Sequence, residues 1–501
     1  MSLLAVDIGS SACKAAAFDE QGDILSAHAC SYSPDYPKPG FAEMDPQRFW
    51  ESICTCCSTV AKQSSEGVQA LCLSSHGETF IPVDAHGHPL GPAILNQDSR
   101  ATAESEWYSQ EVGRQRLFQI TGLVAHPMYP IPKILWLRKH QPQLFASTTC
   151  FVTLIGYLLQ KMGLPAYVDY SLASRFLAFD IHQRCWSQEI LSTLGLHADR
   201  LPIAVPAGTI AGKLNAEASS SLGLVPGTMV VLGGHDQPCG ALGMGIIAPG
   251  RVSDSMGTYE CIVACSNEPC LSDAALSASL NSYCHVVPEK FVTLAYFPSG
   301  IMVKWFHDLL FGSTPGQSAS GPDSEIQHHE FLESDSADIP TGLCITPHLI
   351  GTCNPEFNPH VRGVIAGLGP ETTPAQIYKG ILEGLACELS LITEVLEKAV
   401  GSFQDMYVTG GGTRSATGLR LRAALTQRRL HSMRKQEAVC LGTAILAAVS
   451  AGTYGSVAEA VERVVDEASV VEPDAATTAA YRQQSKRYRL LRSAMTTNAH
   501  A

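Results

Sequence analysis

The first eighteen residues constrain the fold more than any other stretch. Leu3-Leu4-Ala5-Val6 is a short apolar run that reads as a buried strand, and it ends at Asp7. The chain then turns through Gly9-Ser10-Ser11, passes Lys14 and enters a second apolar run, Ala15-Ala16-Ala17-Phe18. Glu20-Gln21-Gly22-Asp23 is turn-rich, and Ile24-Leu25 restarts an extended pattern. A strand that delivers an acid to a small-residue loop, with a cation just beyond, suits a magnesium–polyphosphate site. The acid faces the metal, loop amides and hydroxyls face phosphate, and Lys14 offsets negative charge. An ordinary hairpin with a polar turn has the same local pattern, so these residues alone leave both readings open.

At 501 residues the chain exceeds what one core organises, and two large domains are expected. Hydrophobic residues at 45% and charged residues at 16% indicate a well-buried globular protein. The formal net charge of −13 argues against nucleic acid as a partner, although a nucleotide can still bind a locally positive pocket. The first apolar run is too short for a signal peptide and lacks its basic flank. No window approaches the ~20 apolar residues of a spanning helix. A cytoplasmic protein with no membrane partner is therefore expected. The seventeen cysteines are scattered and read as small buried hydrophobes. Cys54-Thr55-Cys56-Cys57 lies in an expected helix after Asp45-Pro46-Gln47-Arg48, with no second His/Cys pair nearby to complete a zinc set.

Strand and helix patterns alternate along the N-terminal part, as an α/β domain requires. Residues 68–73 and 229–232 are expected strands, ending at Ser74-Ser75-His76-Gly77-Glu78 and Gly233-Gly234-His235-Asp236. Segments 100–120 and 130–165 read mainly as helix. In the second half, 258–264, 290–295 and 405–408 read as strands, 374–400 as a long amphipathic helix, and 437–451 as an apolar helix with Gly442 as a close-packing point. Residues 313–336 read as an exposed loop. The two halves rhyme loosely, each moving from a strand through a small-residue loop to helices. The expected division is 1–248, 249–455 and a helical tail, 456–501, packed on the second domain.

Two longer segments make a resemblance specific. Met128-Tyr129-Pro130-Ile131-Pro132-Lys133-Ile134-Leu135-Trp136-Leu137-Arg138-Lys139-His140 resembles the first signature of the FGGY carbohydrate kinases at every constrained position. Gly363-Val364-Ile365-Ala366-Gly367-Leu368, with Gln376-Ile377-Tyr378-Lys379-Gly380-Ile381-Leu382-Glu383, resembles the second, departing at Gly380, where the family prefers Ala or Ser. The resemblance covers nearly the whole chain. It implies two ribonuclease H-like domains, as in actin and Hsp70, with the active site in the cleft between them. It also implies ATP as phosphoryl donor, Mg2+ as cofactor and a small carbohydrate as acceptor. Family members are often dimeric, and a homodimer is left open.

Carried onto this chain, the resemblance gives each residue a role. Asp7 takes the metal side, and Gly9, Ser10, Ser11 and Lys14 contact phosphate. Asp236 is the catalytic base and also touches substrate with Gln237; locally, Asp before Gln-Pro is equally a helix N-cap. An Asp near a helix N-terminus is a weak base, yet in a loose phosphoryl-transfer transition state the hydroxyl proton can leave late. Ser75, His76 and Glu78 align with the substrate loop, where His76 is xylulokinase-like and Glu78-Thr79 echoes glycerol kinases; a satisfied turn histidine is the other reading of His76. Asn96-Gln97-Asp98-Ser99-Arg100 keeps Asp98 and Arg100 of the family's substrate segment but has Asn96 in place of Trp. Asp98 and Arg100 suit either ligand contact or a mutual structural pair.

Gly257 and Thr258 match the second phosphate loop, but Tyr259 and Glu260 replace a small pair and are expected to crowd or repel phosphate. Gly410, Gly411, Gly412, Thr413 and Arg414 match the adenine-side loop, where glycines let backbone approach the purine. Nucleotide bridging both domains implies hinge closure that excludes water. The favoured activity is transfer to the terminal primary hydroxyl of a xylulokinase-like ketose or polyol. Glycerol or a tetritol, a non-catalytic nucleotide- and sugar-binding relative, and an actin- or Hsp70-like ATPase are the alternatives.

Overall fold

The computed structural model describes residues 2–64, 67–312 and 339–498. Two mixed sheets carry the fold, and they share one strand order. In the first, Ser2–Ile8, Ala12–Phe18 and Ile24–Ser31 form an antiparallel meander. Val68–Ser75 and then Met229–His235 add in parallel on the other side of Ser2–Ile8, and Ile210–Lys213 closes that edge. In the second, Arg251–Met256, Tyr259–Ser266 and Phe291–Pro298 form the meander. Asp405–Thr409 and Arg429–Met433 add in parallel, and Asn281–Cys284 and Glu467–Val471 are the outer strands. This repeated order is the expected pair of ribonuclease H-like domains.

Local chemistry explains the main elements. Ser2–Ile8 is buried along almost its whole length, as a central strand flanked on both sides must be. The helix Pro46–Gln63 starts with Asp45 accepting from the Gln47 amide and Pro46 in its first turn. Cys56 and Cys57 face the core from this helix, and all seventeen cysteines are free. The helix Pro374–Val400 opens on a reciprocal capping box between Thr373 and Gln376.

The helix Ala438–Ser450 belongs to the second half in sequence but packs on the first sheet. It shares a core with Leu3, Ala5, Ala16, Cys72 and Val231. It also crosses the helix Asp236–Gly243 at a distance only glycine permits. A Cβ on Gly442 would lie 1.9 Å from the Cys239 carbonyl oxygen, and one on Gly243 would lie 1.9 Å from that of Ala438. The two helices thus join the halves.

Two expectations need adjustment, and a third falls outside the described residues. The stretch 130–165 is interrupted by the strand Cys150–Thr153, which pairs with Phe80–Val83. The tail is not all helix, because Glu467–Val471 extends the second sheet before the helix Ala475–Asn498. The expected loop 313–336 lies outside the described residues. Among the described residues, no helix is long and apolar enough to cross a membrane.

Candidate active site

Strand register brings the sequence candidates of the first half together. Asp7 lies opposite Ser74, and Ser74 lies opposite Gly234, in one row across three parallel strands. The next row is Ile8, Ser75 and His235. Asp236 follows at the first position of its helix. Gly233 occupies an irregularity in its strand where a Cβ would come within 2.5 Å of the Leu73 carbonyl oxygen. That close approach sets where His235 and Asp236 emerge.

Both acids at these strand ends are raised in pKa, and Asp236 feels the Asp7 charge. Burial, then the neighbouring charges of Asp7 and Glu78, holds the Asp236 carboxyl well above the usual carboxylate range. Burial raises Asp7 to about 6, partly countered by a 3.3 Å hydrogen bond from the Ser74 hydroxyl. His235 Nε2 lies 3.2 Å from Asp236 Oδ1 but outside hydrogen-bonding geometry, so Oδ1 is buried without a partner. Burial keeps His235 neutral, and its Nδ1 is hydrogen-bonded to the Tyr283 hydroxyl at 2.9 Å. Asp236 is not the N-cap: that position is His235, which makes no side-chain cap bond. Asp236 sits one residue further on, inside the helix.

The loop after Asp7 is tight. The Gly9 amide donates to the Ala12 carbonyl, and the Tyr32 hydroxyl donates to the Gly9 carbonyl at 2.5 Å. Ser10 and Ser11 are exposed. In the second half, Ser255 lies opposite Thr409, so Gly257-Thr258 and Gly410-Gly411-Gly412 leave adjacent parallel strands side by side. Gly410, at φ +94°, abuts the Met256 carbonyl, where a Cβ would stand 2.7 Å away. Thr413 hydrogen-bonds back to the Gly410 carbonyl and Arg414 is exposed.

The sequence of the chain settles its ancestry at this point. Residues 2–243 match the FGGY family of carbohydrate kinases, N-terminal domain, and residues 252–451 match the C-terminal domain of the same family. The chain belongs to the FGGY family of carbohydrate kinases. It is thus an ATP-dependent sugar kinase. The kinase is 23% identical to a xylulose kinase of Staphylococcus xylosus, over 98% of its own length and 99% of the relative's. It is 25% identical to a gluconokinase of Bacillus licheniformis, over 91% and 88% of the two lengths. Its fold matches the ligand-bound xylulose kinase of Lactobacillus acidophilus with a TM-score of 0.90 at 20% identity, covering 100% of this chain and 99% of that one.

Several expected ligand contacts are spent inside the kinase. His76 uses Nδ1 on the Ile8 carbonyl at 2.9 Å and Nε2 on Thr79 at 2.7 Å, so it is a satisfied turn histidine. Ser75 is buried and donates to the His76 carbonyl. Arg100 binds Asp98 through Nε and Nη2 and reaches Glu43 at 2.6 Å, while its guanidinium lies 3.9 Å from the Phe41 ring centre. Asp98 also accepts from the Ala42 amide. With side chains 1% and 0% exposed, Arg100 and Asp98 are a structural pair and offer no surface to a sugar. Lys14 pairs with Glu437 at 2.7 Å, across the join between the halves.

Glu260 does not face the phosphate loop. It turns inward, where Arg422 grips both its oxygens at 3.0 and 2.8 Å and the Ser299 hydroxyl donates at 2.7 Å. Buried Asp254 beside it has no hydrogen-bond partner, and burial plus the Glu260 charge pushes its carboxyl far up. Only one acid of the two then balances Arg422. Ser299 and Gly300 donate their amides to the Thr258 and Gly257 carbonyls, so the same cluster braces the loop from behind. Tyr259 meets Tyr296 edge-on, with ring centres 5.9 Å apart.

Three residues near Asp236 escaped the sequence reading. Arg175 binds Glu78 through Nε at 2.5 Å and lies between the rings of Tyr129 and Tyr283, 5.1 and 5.0 Å from their centres. Lys133, within the first signature, donates to the carbonyls of Glu78 and Leu95. Tyr283 reaches in from the second sheet. Arg175 left one clue: it is a lone cation in the apolar run Leu172-Ala173-Ser174-Arg175-Phe176-Leu177-Ala178.

Proposed function

We propose that the kinase transfers the γ-phosphoryl group of ATP to a terminal primary hydroxyl of a small ketose or polyol, with Asp236 taking the hydroxyl proton. The observation that carries this reading is the unpaired, buried Oδ1 of Asp236 at the strand ends beside Asp7. Its raised proton affinity makes Asp236 a better base than an ordinary carboxylate. Gln237 is half-buried beside it and suits the same substrate.

Asp7 fits a hard divalent cation. It is a raised, sunken carboxylate with a hydroxyl neighbour and a second acid close by. Among the described residues, no three His, Cys, Asp or Glu side chains cluster as a full metal cage. Magnesium sites of this kind draw most ligands from phosphate and water, so one or two carboxylates suffice. Bound magnesium would offset phosphate charge. Gly9, Ser10, Ser11, Gly257 and Thr258 would cradle phosphates with backbone amides and hydroxyls, and the phosphates would compete with Glu437 for Lys14. Gly410, Gly411, Gly412, Thr413 and Arg414 would receive the nucleoside.

A xylulose-like ketose is favoured because xylulose kinases recur among the relatives; the gluconokinase relatives make an aldonate the second acceptor to test. The inward pairing of Glu260 removes one of the two reasons to favour a non-catalytic relative, and Tyr259 is the other. ADP release measured with ketoses, alditols, glycerol and aldonates tests the proposal. Turnover that depends on a ketose or polyol supports it. Sugar-independent ATP hydrolysis, or nucleotide binding without turnover on any acceptor, contradicts it.

A further inference from the structure

Glu78 and Arg175 form a buried ion pair that the phosphoryl-transfer chemistry does not use. They are 6% and 4% exposed, and a 2.5 Å bond from Arg175 Nε to Glu78 joins them. Glu78 is held in a conformation ordinary residues avoid, at φ +63°. Its carbonyl accepts from Lys133 and its carboxylate from Arg175, so both ends of the strained residue are fixed. Gly77 leaves room for the arginine stem, since a Cβ there would lie 3.1 Å from Arg175 Cγ.

Two polar atoms around Asp236 lack partners. Arg175 Nη1 is a donor without an acceptor, and Asp236 Oδ1 is an acceptor without a donor. Arg175 bears electrostatically on Asp236, and Glu78 bears on both. Vicinal hydroxyls satisfy such a pair, because each hydroxyl accepts and donates. A carboxylate accepts from Arg175 but has nothing to give Asp236. The charges point the same way: the Arg175 guanidinium is already matched by the Glu78 carboxylate that it binds.

We propose that the Glu78–Arg175 pair is a charge filter at the acceptor site, by which the kinase selects neutral polyhydroxylated acceptors and disfavours sugar acids. This rests on the reading of Asp236 as the acceptor-side base. Glu78 cancels the guanidinium charge that would otherwise attract a carboxylate, while Arg175 keeps its hydrogen-bonding capacity for hydroxyl oxygens. Removing the Glu78 charge without changing its shape leaves the Arg175 guanidinium uncompensated and able to attract a carboxylate.

The test compares gluconate with glucitol as competitors of ketose phosphorylation, and kcat/KM for aldonates with that for ketoses, in wild type and Glu78→Gln. In wild type, gluconate should compete at least ~10-fold more weakly than glucitol. Glu78→Gln should raise the aldonate-to-ketose ratio by roughly 10- to 100-fold. Arg175→Gln should raise the ketose KM by about 10-fold or more while leaving the ATP KM within about twofold, a split that a general folding defect would not give. Equal competition by the two compounds in wild type, which needs no variant, overturns the filter. So does an unchanged ratio in folded Glu78→Gln. Those outcomes leave ketose-dependent turnover intact; absence of turnover on every acceptor would instead overturn the underlying acceptor site.

Discussion

At the ends of the first sheet's parallel strands, burial raises the proton affinity of Asp7 and Asp236, the Asp7 charge adds to the effect on Asp236, and Asp236 Oδ1 has no partner. At the matching strand ends of the second sheet, the nearest acid, Glu260, is turned away and neutralised by Arg422 and Ser299. The strand order is the same, but the treatment of charge is opposite. One half leaves charge available for a substrate. The other buries its acids away from the loops, Glu260 paired with Arg422 and Asp254 held protonated beside it, and offers glycine-rich backbone. Acidic side chains at equivalent strand ends therefore have different consequences when lost: chemistry in the first half, stability in the second.

The largest effect that sharpens this contrast is on the second half's buried pair. Arg422→Met strands the buried Glu260 charge and should cost about 3–5 kcal/mol in denaturant unfolding, whereas Glu260→Ala should cost less because Asp254 beside it can ionise against Arg422. The double variant Glu260→Leu/Arg422→Met should lose clearly less than the sum, because neither charge remains. Additive losses would show that the pair is not the unit.

The join between the halves comes next. Gly442→Ala forces a Cβ onto the Cys239 carbonyl, which backbone cannot easily yield, and should destabilise by about 1–3 kcal/mol. A thermal melt unchanged by this substitution would mean that the helices do not pack as closely as described.

A pH effect separates the halves further. Asp7 is raised to about 6 and Asp236 is raised well above the usual carboxylate range, so the folded form holds protons that the unfolded chain has released above pH ~4. Their penalty is full above the folded values. It is relieved as pH falls through them toward about 4. Without ligands, the difference in unfolding free energy between wild type and Asp236→Asn should therefore narrow on acidification. Turnover should show the opposite trend, falling as Asp236 takes up its proton. A stability difference independent of pH would remove the electrostatic coupling.

Lys14 should give the smallest effect. It and Glu437 are about 40% exposed, so Lys14→Met should change stability by no more than about 1 kcal/mol. A several-fold rise in the ATP KM with unchanged stability would show that Lys14 leaves Glu437 for phosphate.

What the sequence made legible follows from range. Asp7, Asp236 and the glycine loops each sit at the end of a short apolar run, and that local pattern marks strand ends. The helix 374–400 was equally plain, because its cap and period lie within it. Arg175 and Glu78 are 97 residues apart, and Arg422 and Glu260 are 162 apart. Only tertiary packing brings these pairs together, so Glu260 read as a threat to phosphate rather than as half of a closed pair. His76 and the Asp98–Arg100 pair went the other way. Their residue types suit a sugar, but the fold engages both ring nitrogens of His76 and pairs Asp98 with Arg100.

The central claim is that Asp236 accepts the proton of the sugar hydroxyl, and sugar-dependent ADP release by Asp236→Asn tests it most directly, alongside calorimetric binding of nucleotide and ketose. The account predicts a loss of turnover of about 10²–10⁴-fold with both ligands still bound. Turnover within a few-fold of wild type would contradict it.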